Sequence, residues 1–178
     1  VTNHLSFMDI MLLTSVIKST FVSTVEVQQI PFIGQLVELS GAIFIERRNR
    51  DNLKKEVDWV KENLTGGINM SFFPEAKSTN GDELHRFRRP FFRPATDRDM
   101  DIQTVAINYE SLNGDTEVDA SNRHKVLWWK QNKIFDQVWN LLSFRSIEVT
   151  LHGEIVRASD YNKSERHVAD ICHDVVAK

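Results

Sequence analysis

The chain has 178 residues, 41% hydrophobic and 26% charged, which is enough apolar material for one domain with a real core and argues against disorder. A formal net charge of −3 excludes a protein that binds polyanions over its whole surface, so any affinity for phosphate has to come from local arginine clusters. The single cysteine, Cys172, excludes an internal disulfide framework and favours a cytosolic or cytosol-facing location.

No uncharged apolar run reaches the length of a membrane span. The longest, Ile10 to Ile17, is short and interrupted by Thr14 and Ser15, and no secretory signal is visible. The sequence opens at Val1, inside what reads as a motif. The expectation is one domain, residues 1–178, that lacks its native N-terminal segment.

In chain order, Val1 to Asn3 reads as the end of a strand. Ser6 to Lys18 reads as a helix, apolar nearly all round and therefore expected to be buried. Phe21 to Thr24 is a short β-branched strand. Pro31 to Leu39 looks helical with proline at its start, and Ala42 to Ile45 is a strand. Arg50 to Leu64 carries a helix pattern stopped by Gly66-Gly67, and Ile68 to Phe73 is a strand cut by Pro74.

A loop rich in charge and aromatics runs from Glu75 to Asp101. Thr104 to Tyr109 is a strand, and Leu112 to Asn122 a polar connection. Lys130 to Leu142 reads as a helix, Ser146 to Leu151 as a strand, and Ser164 to Val176 as a closing helix capped by Ser164. Short strands alternating with helix-period segments predict an α/β fold: a single-domain mixed, largely parallel sheet flanked by helices.

Asn3-His4-Leu5-Ser6-Phe7-Met8-Asp9 places a histidine five residues before an aspartate, at the head of the first helix. Two readings stay open from these residues alone. Ser6 and Asp9 have the spacing of a capping box, and a first-turn carboxylate is favoured by the helix dipole. Alternatively, Asp9 holds one imidazole nitrogen of His4 so that the other can take a proton from a hydroxyl.

Further on, Gly41 to Arg48 ends a strand in Glu46 and paired guanidiniums, a place where open α/β sheets bind ligands and where arginine can fork onto phosphate. Phe73-Pro74-Glu75 is followed by Lys77, Ser78 and Thr79, groups that suit an oxyanion or phosphate; an ordinary polar turn reads equally well.

Arg86 to Arg93 interleaves cations with aromatics. It can stack on nucleic acid, lie at a membrane interface, line a site for an anionic donor, or be a solvated basic loop whose phenylalanines pack inward. The acidic balance of the chain weighs against nucleic acid. The remaining histidines show no metal-ligand spacing, so no metal is expected. Trp128, Trp129 and Trp139 read as core or interface residues, and Cys172 as buried and inert.

Four segments in order resemble the glycerolipid acyltransferases of the lysophosphatidic acid acyltransferase type, the superfamily with the N-H-x4-D motif. Asn3-His4 to Asp9 matches the first block. Ile30-Pro31-Phe32-Ile33-Gly34 leading into Gly41 to Arg47 matches the second. Phe73-Pro74-Glu75 with Leu84, Phe87 and Arg88 matches the third, and Val105-Ala106-Ile107 the fourth. In the third block the family's usual F-P-E-G-T-R-S is changed, with Ala76, Lys77, Ser78 and Thr79 following Glu75.

The resemblance implies a glycerol-3-phosphate acyltransferase-like fold. The activity it implies is direct transfer of a fatty acyl group from acyl-CoA or acyl carrier protein to a hydroxyl of a lysophospholipid-like acceptor, with 1-acylglycerol 3-phosphate first. In that scheme His4 is the general base and Asp9 its orienter; Arg47 binds the acceptor phosphate, and Glu75, Lys77, Ser78 and Thr79 surround the acceptor. Arg88, Arg89 and Phe91 would contact donor or membrane.

The thioester is a co-substrate, and no cofactor is implied. A membrane-surface location facing the cytoplasm is expected, and no nucleic-acid partner. The altered third block leaves two alternatives: another acceptor, such as lyso-ornithine lipid, lysophosphatidylethanolamine or lysophosphatidylcholine, or a non-catalytic lipid-binding module.

Overall fold

The structure is a computed structural model that describes all residues except 32, 40, 46–57, 63, 65, 66, 68, 128–133 and 163. The apolar run after Ser6 forms α1 (Met8–Val16). Leu13 is buried, but Met11 and Val16 stand exposed, so α1 packs on one side only and is not the all-round buried helix its composition predicts. Strand β1 (Thr20–Thr24) follows, then a single turn, α2 (Val25–Gln28), which the sequence pattern does not reveal.

Next come α3 (Ile33–Leu39) and β2 (Ile43–Ile45). Gly34 lies against the end of α2: a β-carbon there would sit 2.1 Å from the Gln28 carbonyl oxygen, so only glycine allows this approach. A helix, α4, has residues 58–62 and 64 as its described part.

After α4 come β3 (Met70–Ser71), a 3-10 turn (Arg89–Phe92) that runs into α5 (Arg93–Asp97), and β4 (Asp101–Leu112). Both turn and helix fall inside the segment expected to be a loop. Strand β5 (Thr116–Glu117), α6 (Ile134–Leu142), β6 (Ile147–Arg157) and α7 (Glu165–Val176) complete the chain. Ser164 caps α7 as expected, its hydroxyl accepting from the His167 N–H.

The mixed α/β architecture is the one predicted. Among the described residues the strands form two three-stranded sheets, a parallel one in the order β2-β1-β3 and an antiparallel one in the order β5-β4-β6. The longest ladder, β4 with β6, is antiparallel, so the parallel share is smaller than the alternation of elements suggests.

Strand β4 separates two cores. Val105, Ile107 and Tyr109 face a cluster with Leu5, Leu13, Phe21 and Phe73, while Ile102 and Ala106 face Phe87, Phe92 and the buried side of α7. Leu112, an even position, joins the odd-numbered cluster because the ladder slips between Tyr109 and Ser111. One extra residue, Glu110, stands on β4 there, a β-bulge that reverses the facing of the rest of the strand.

This packing has two measurable consequences. Cys172 is fully buried among Val168, Ala169 and Val176, and burial pushes its thiol up to about 12. Native protein should resist iodoacetamide at pH 8 and react only once unfolded. Cys172→Ser should cost about 1–3 kcal/mol in denaturant unfolding, because a hydroxyl is poorly matched to apolar surroundings.

Ala76 has φ +64°, the left-handed conformation, at the position where the resembling family has glycine. Ala76→Gly should therefore stabilise the fold by about 0.5–1 kcal/mol, the side-chain strain relieved less the extra backbone entropy of glycine. Thermal melting checks this as a rise of about 2–3 °C.

Candidate active site

The site begins with a side chain that imitates a strand. Thr2 forms a parallel bridge to Val105, and the Val105 N–H donates to the Val1 carbonyl at 2.8 Å. The next rung is made by the side-chain amide of Asn3. Its Oδ1 accepts from the Ile107 N–H at 2.8 Å and its Nδ2 donates to the Ile107 carbonyl at 2.9 Å. An amide side chain carries one acceptor and one donor in the geometry a strand backbone offers. The backbone of residue 3 is thereby freed to leave the sheet, and His4 projects from the loop between β4's edge and α1.

His4 is held at every point except one nitrogen. Its Nδ1 meets Asp9 Oδ2 at 2.9 Å, and its ring stacks on Phe73 with centroids 4.0 Å apart and planes at 20°. Its N–H donates to Glu75 Oε1 at 2.8 Å, and its carbonyl accepts from the Thr79 N–H at 2.9 Å.

Asp9 is completely buried. Oδ2 also accepts from the Leu5 and Ser6 N–H groups at 2.7 and 2.8 Å, and Oδ1 accepts from the Tyr109 hydroxyl at 2.8 Å. With donors around the carboxylate, His4 Nδ1 carries a proton, so in the neutral imidazole the lone pair is on Nε2. Among the described residues no protein group bonds Nε2. The His4 side chain keeps 17% of its surface exposed, so that nitrogen can be reached. Asp9 Oδ2 thus reaches back to the Ser6 N–H, the carboxylate half of the expected capping box, and the same oxygen holds the imidazole; the N-cap of α1 itself is Phe7, which makes no side-chain capping bond.

The segment after Phe73 splits into braces and rim. Glu75 is buried, and its two oxygens accept from the N–H groups of His4 and His85, at 2.8 and 2.9 Å. Burial raises its carboxyl above the ordinary value, while those two backbone bonds and the nearby His4 and His85 pull it down. Thr79 is also buried and gives its N–H to His4. Ser78 is half-buried and Lys77 exposed, so these two form the open rim beside the histidine loop.

In the basic segment Phe87 and Phe92 are buried, Phe91 packs against Phe72 with ring centroids 5.4 Å apart, and Arg86 and Arg88 are exposed. The phenylalanines point inward and these cations outward. Arg89 is half-buried, and the Arg88 N–H donates to the Pro74 carbonyl at 2.9 Å, which ties this segment to the loop that holds Glu75. Arg47 lies outside the described residues.

Thr2 also lines a mainly apolar cavity of about 290 Å³, together with Leu13, Ile17, Val22, Phe72, Phe91 and Val105 among others. Among the described residues no three His, Cys, Asp or Glu side chains gather as a metal site would need. No helix among them is long and apolar enough to cross a membrane.

Sequence reasoning missed Tyr109. It lies 100 residues from Asp9, and nothing in its strand pattern shows that the phenol ends on a carboxylate.

Comparison with known proteins matches the same region. The chain is 28% identical to a 1-acyl-sn-glycerol-3-phosphate acyltransferase of Neisseria meningitidis, over 94% of this chain and 62% of the relative. It is 29% identical to a lyso-ornithine lipid O-acyltransferase of Rhodobacter capsulatus, over 99% of this chain and 63% of the relative, and 37% identical to one of Pseudomonas aeruginosa over 61% and 42%. The chain thus spans less than two thirds of the length of these curated relatives.

The fold is similar to that of the crystal structure of the acyltransferase PlsC from Thermotoga maritima, with a TM-score of 0.55 at 17% identity, covering 99% of this chain and 63% of that one. The family model named Acyltransferase matches residues 1–108, the stretch that holds Asn3, His4, Asp9, Glu75 and Ile107, and the chain belongs to that family.

Proposed function

We propose that this domain transfers a fatty acyl group from a thioester, acyl-CoA or acyl carrier protein, to a hydroxyl of a lysophospholipid-like acceptor. The observation that carries the reading is the His4–Asp9 hydrogen bond, made by a fully buried carboxylate within the family-matched segment. His4 Nε2 takes the proton as the acceptor oxygen attacks the thioester carbonyl. The tetrahedral intermediate then expels the thiolate, which recovers the proton from the imidazolium. Asp9 fixes the tautomer and faces the positive charge that develops on the ring.

No covalent acyl-enzyme is needed, in keeping with an inert Cys172. The developing oxyanion would be met by donors of the Lys77–Ser78 rim. Arg47 would take the acceptor's anion, and Arg88 and Arg89 the donor's phosphates. The apolar cavity beside Thr2 would receive an acyl chain.

1-Acylglycerol 3-phosphate is the acceptor we place first. Lyso-ornithine lipid is the second, because Ala76 and Lys77 replace the usual third-block residues and two of the relatives above carry that name. A panel of lysophosphatidate, lyso-ornithine lipid, lysophosphatidylethanolamine and lysophosphatidylcholine with acyl-CoA and acyl carrier protein decides. Thiol release should depend on acceptor and fall at least 100-fold in His4→Ala, within the range general-base catalysis supplies. Arg47→Ala should raise KM about tenfold for a phosphate-bearing acceptor with little change in kcat. Near-normal turnover by His4→Ala would sink the mechanism.

We further propose that the domain works at a membrane surface. On α6, Phe135, Trp139 and Leu142 recur at helical spacing and are 55, 70 and 69% exposed, while Gln137 and Leu141 turn toward the core. Lys125 and Arg145, before and after α6 in the chain, are exposed. An exposed aromatic face with cations before and after it in the chain suits the interface of an anionic bilayer. Trp139→Glu with Leu142→Glu should cut co-sedimentation with phosphatidylglycerol-containing vesicles at least fivefold while the circular dichroism spectrum is retained. Unchanged sedimentation would place the membrane contact elsewhere.

A further inference from the structure

We infer that Tyr109 is a positioning residue for the dyad: its phenol holds the second oxygen of Asp9 and so sets the plane in which His4 presents Nε2. This rests on the general-base reading of His4. Three donors converge on Asp9 Oδ2, from Leu5, Ser6 and His4, and among the described residues the Tyr109 hydroxyl alone holds Oδ1. The terminal torsion of an aspartate is broad, so anchoring one oxygen leaves the carboxylate free to swing about it. A donor on each oxygen removes that freedom.

The strand that carries Tyr109 is also the strand that grips the start of the motif. Val105 holds Thr2 in a bridge, Ile107 takes both hydrogen bonds of the Asn3 amide, and Tyr109 reaches Asp9. These are alternate residues of β4, so one rigid strand sets the two ends of the N-H-x4-D segment relative to each other. The ring of Tyr109 is buried in the same cluster as Leu5, Leu13 and Phe73, the residue on which His4 stacks. The bulge at Glu110 comes directly after it, so Tyr109 is the last residue of β4 in this facing before the slip. Burial, with the Asp9 charge beside it, drives the phenol well above its ordinary range, so it stays a donor at every pH used for assay.

A purely structural tyrosine and a positioning one differ in kinetics. Tyr109→Phe keeps the ring and removes only the hydroxyl. The expected result is a kcat about 10- to 100-fold lower, the range that a hydrogen bond to a charged group commands, with KM for donor and acceptor within about twofold. In an Asp9→Asn background the same substitution should cost less than about twofold more, because the imidazole is no longer oriented by a carboxylate.

An unchanged kcat, or an equal further loss in the Asp9→Asn background, would overturn the proposal. If Tyr109→Phe does not fold, the hydroxyl proton of the unmodified protein is the readout. It should be protected from solvent exchange by NMR and lose that protection in Asp9→Asn; exchange at solvent rate in the unmodified protein overturns the proposal. His4→Ala and Asp9→Asn alone separate the two layers. Near-normal turnover in either breaks the general-base reading, whereas a loss of about 100-fold or more in both, with Tyr109→Phe fully active, breaks only the role of Tyr109.

Discussion

A carboxylate with no exposed surface has to be met by donors, and Asp9 imposes that constraint on the rest of the molecule. A buried charge left without partners costs several kcal/mol, so each donor around it is needed where it is. Two are backbone N–H groups of the loop that precedes α1, one is the imidazole of His4, and one is a phenol from β4. Loop, helix start and strand are therefore fixed relative to one another by a single side chain. The dyad geometry results from satisfying that charge, and the loop that leads into α1 is pinned by the same bonds.

The stiffness behind this arrangement comes from β4. A central strand with both faces buried over Thr104 to Ile107 is a poor place for motion, since each face is locked into its own core. The N-terminal segment uses that strand as a template by backbone at Thr2 and by side chain at Asn3. Replacing a backbone rung by an amide lets the chain turn away from the sheet one residue early while leaving no orphaned N–H or carbonyl at Ile107. The histidine is then delivered by a loop whose two ends are both tied to regular structure.

How much of this is legible in the sequence differs by kind of interaction. Local signals come through. Ser164 before a helical period, the Pro74 stop after an aromatic strand and the Ser6–Asp9 spacing each depend on residues a few positions apart. Long-range polar contacts do not. Tyr109 looks like any strand aromatic until its partner 100 residues away is known, and Glu75 looks like a ligand-facing acid until its two backbone donors are seen. The alternation of apolar residues fails at Leu151 and predicts that β6 ends there; the strand runs on to Arg157, held by its ladder with β4, with Val156 the one side chain of that extension buried in the core. The inward and outward split of the Arg86 to Arg93 segment stays open in the sequence because a mixed cationic and aromatic run has no period that decides it.

The third block shows why its residues can differ from the family pattern without disturbing His4. The loop grips His4 through the Glu75 carboxylate and the Thr79 backbone N–H. Neither contact uses the side chains of residues 76 to 78. Ala76 is accommodated at the expense of a left-handed backbone, which leaves the loop path intact. Lys77 and Ser78, on the open rim, make neither of these contacts and can vary without loosening the loop, whereas Glu75 and Thr79 belong to the frame. In the reading proposed above, a change of acceptor and a change of chemistry would therefore be separable on this scaffold: the first would be written on the rim, the second in the buried network around Asp9.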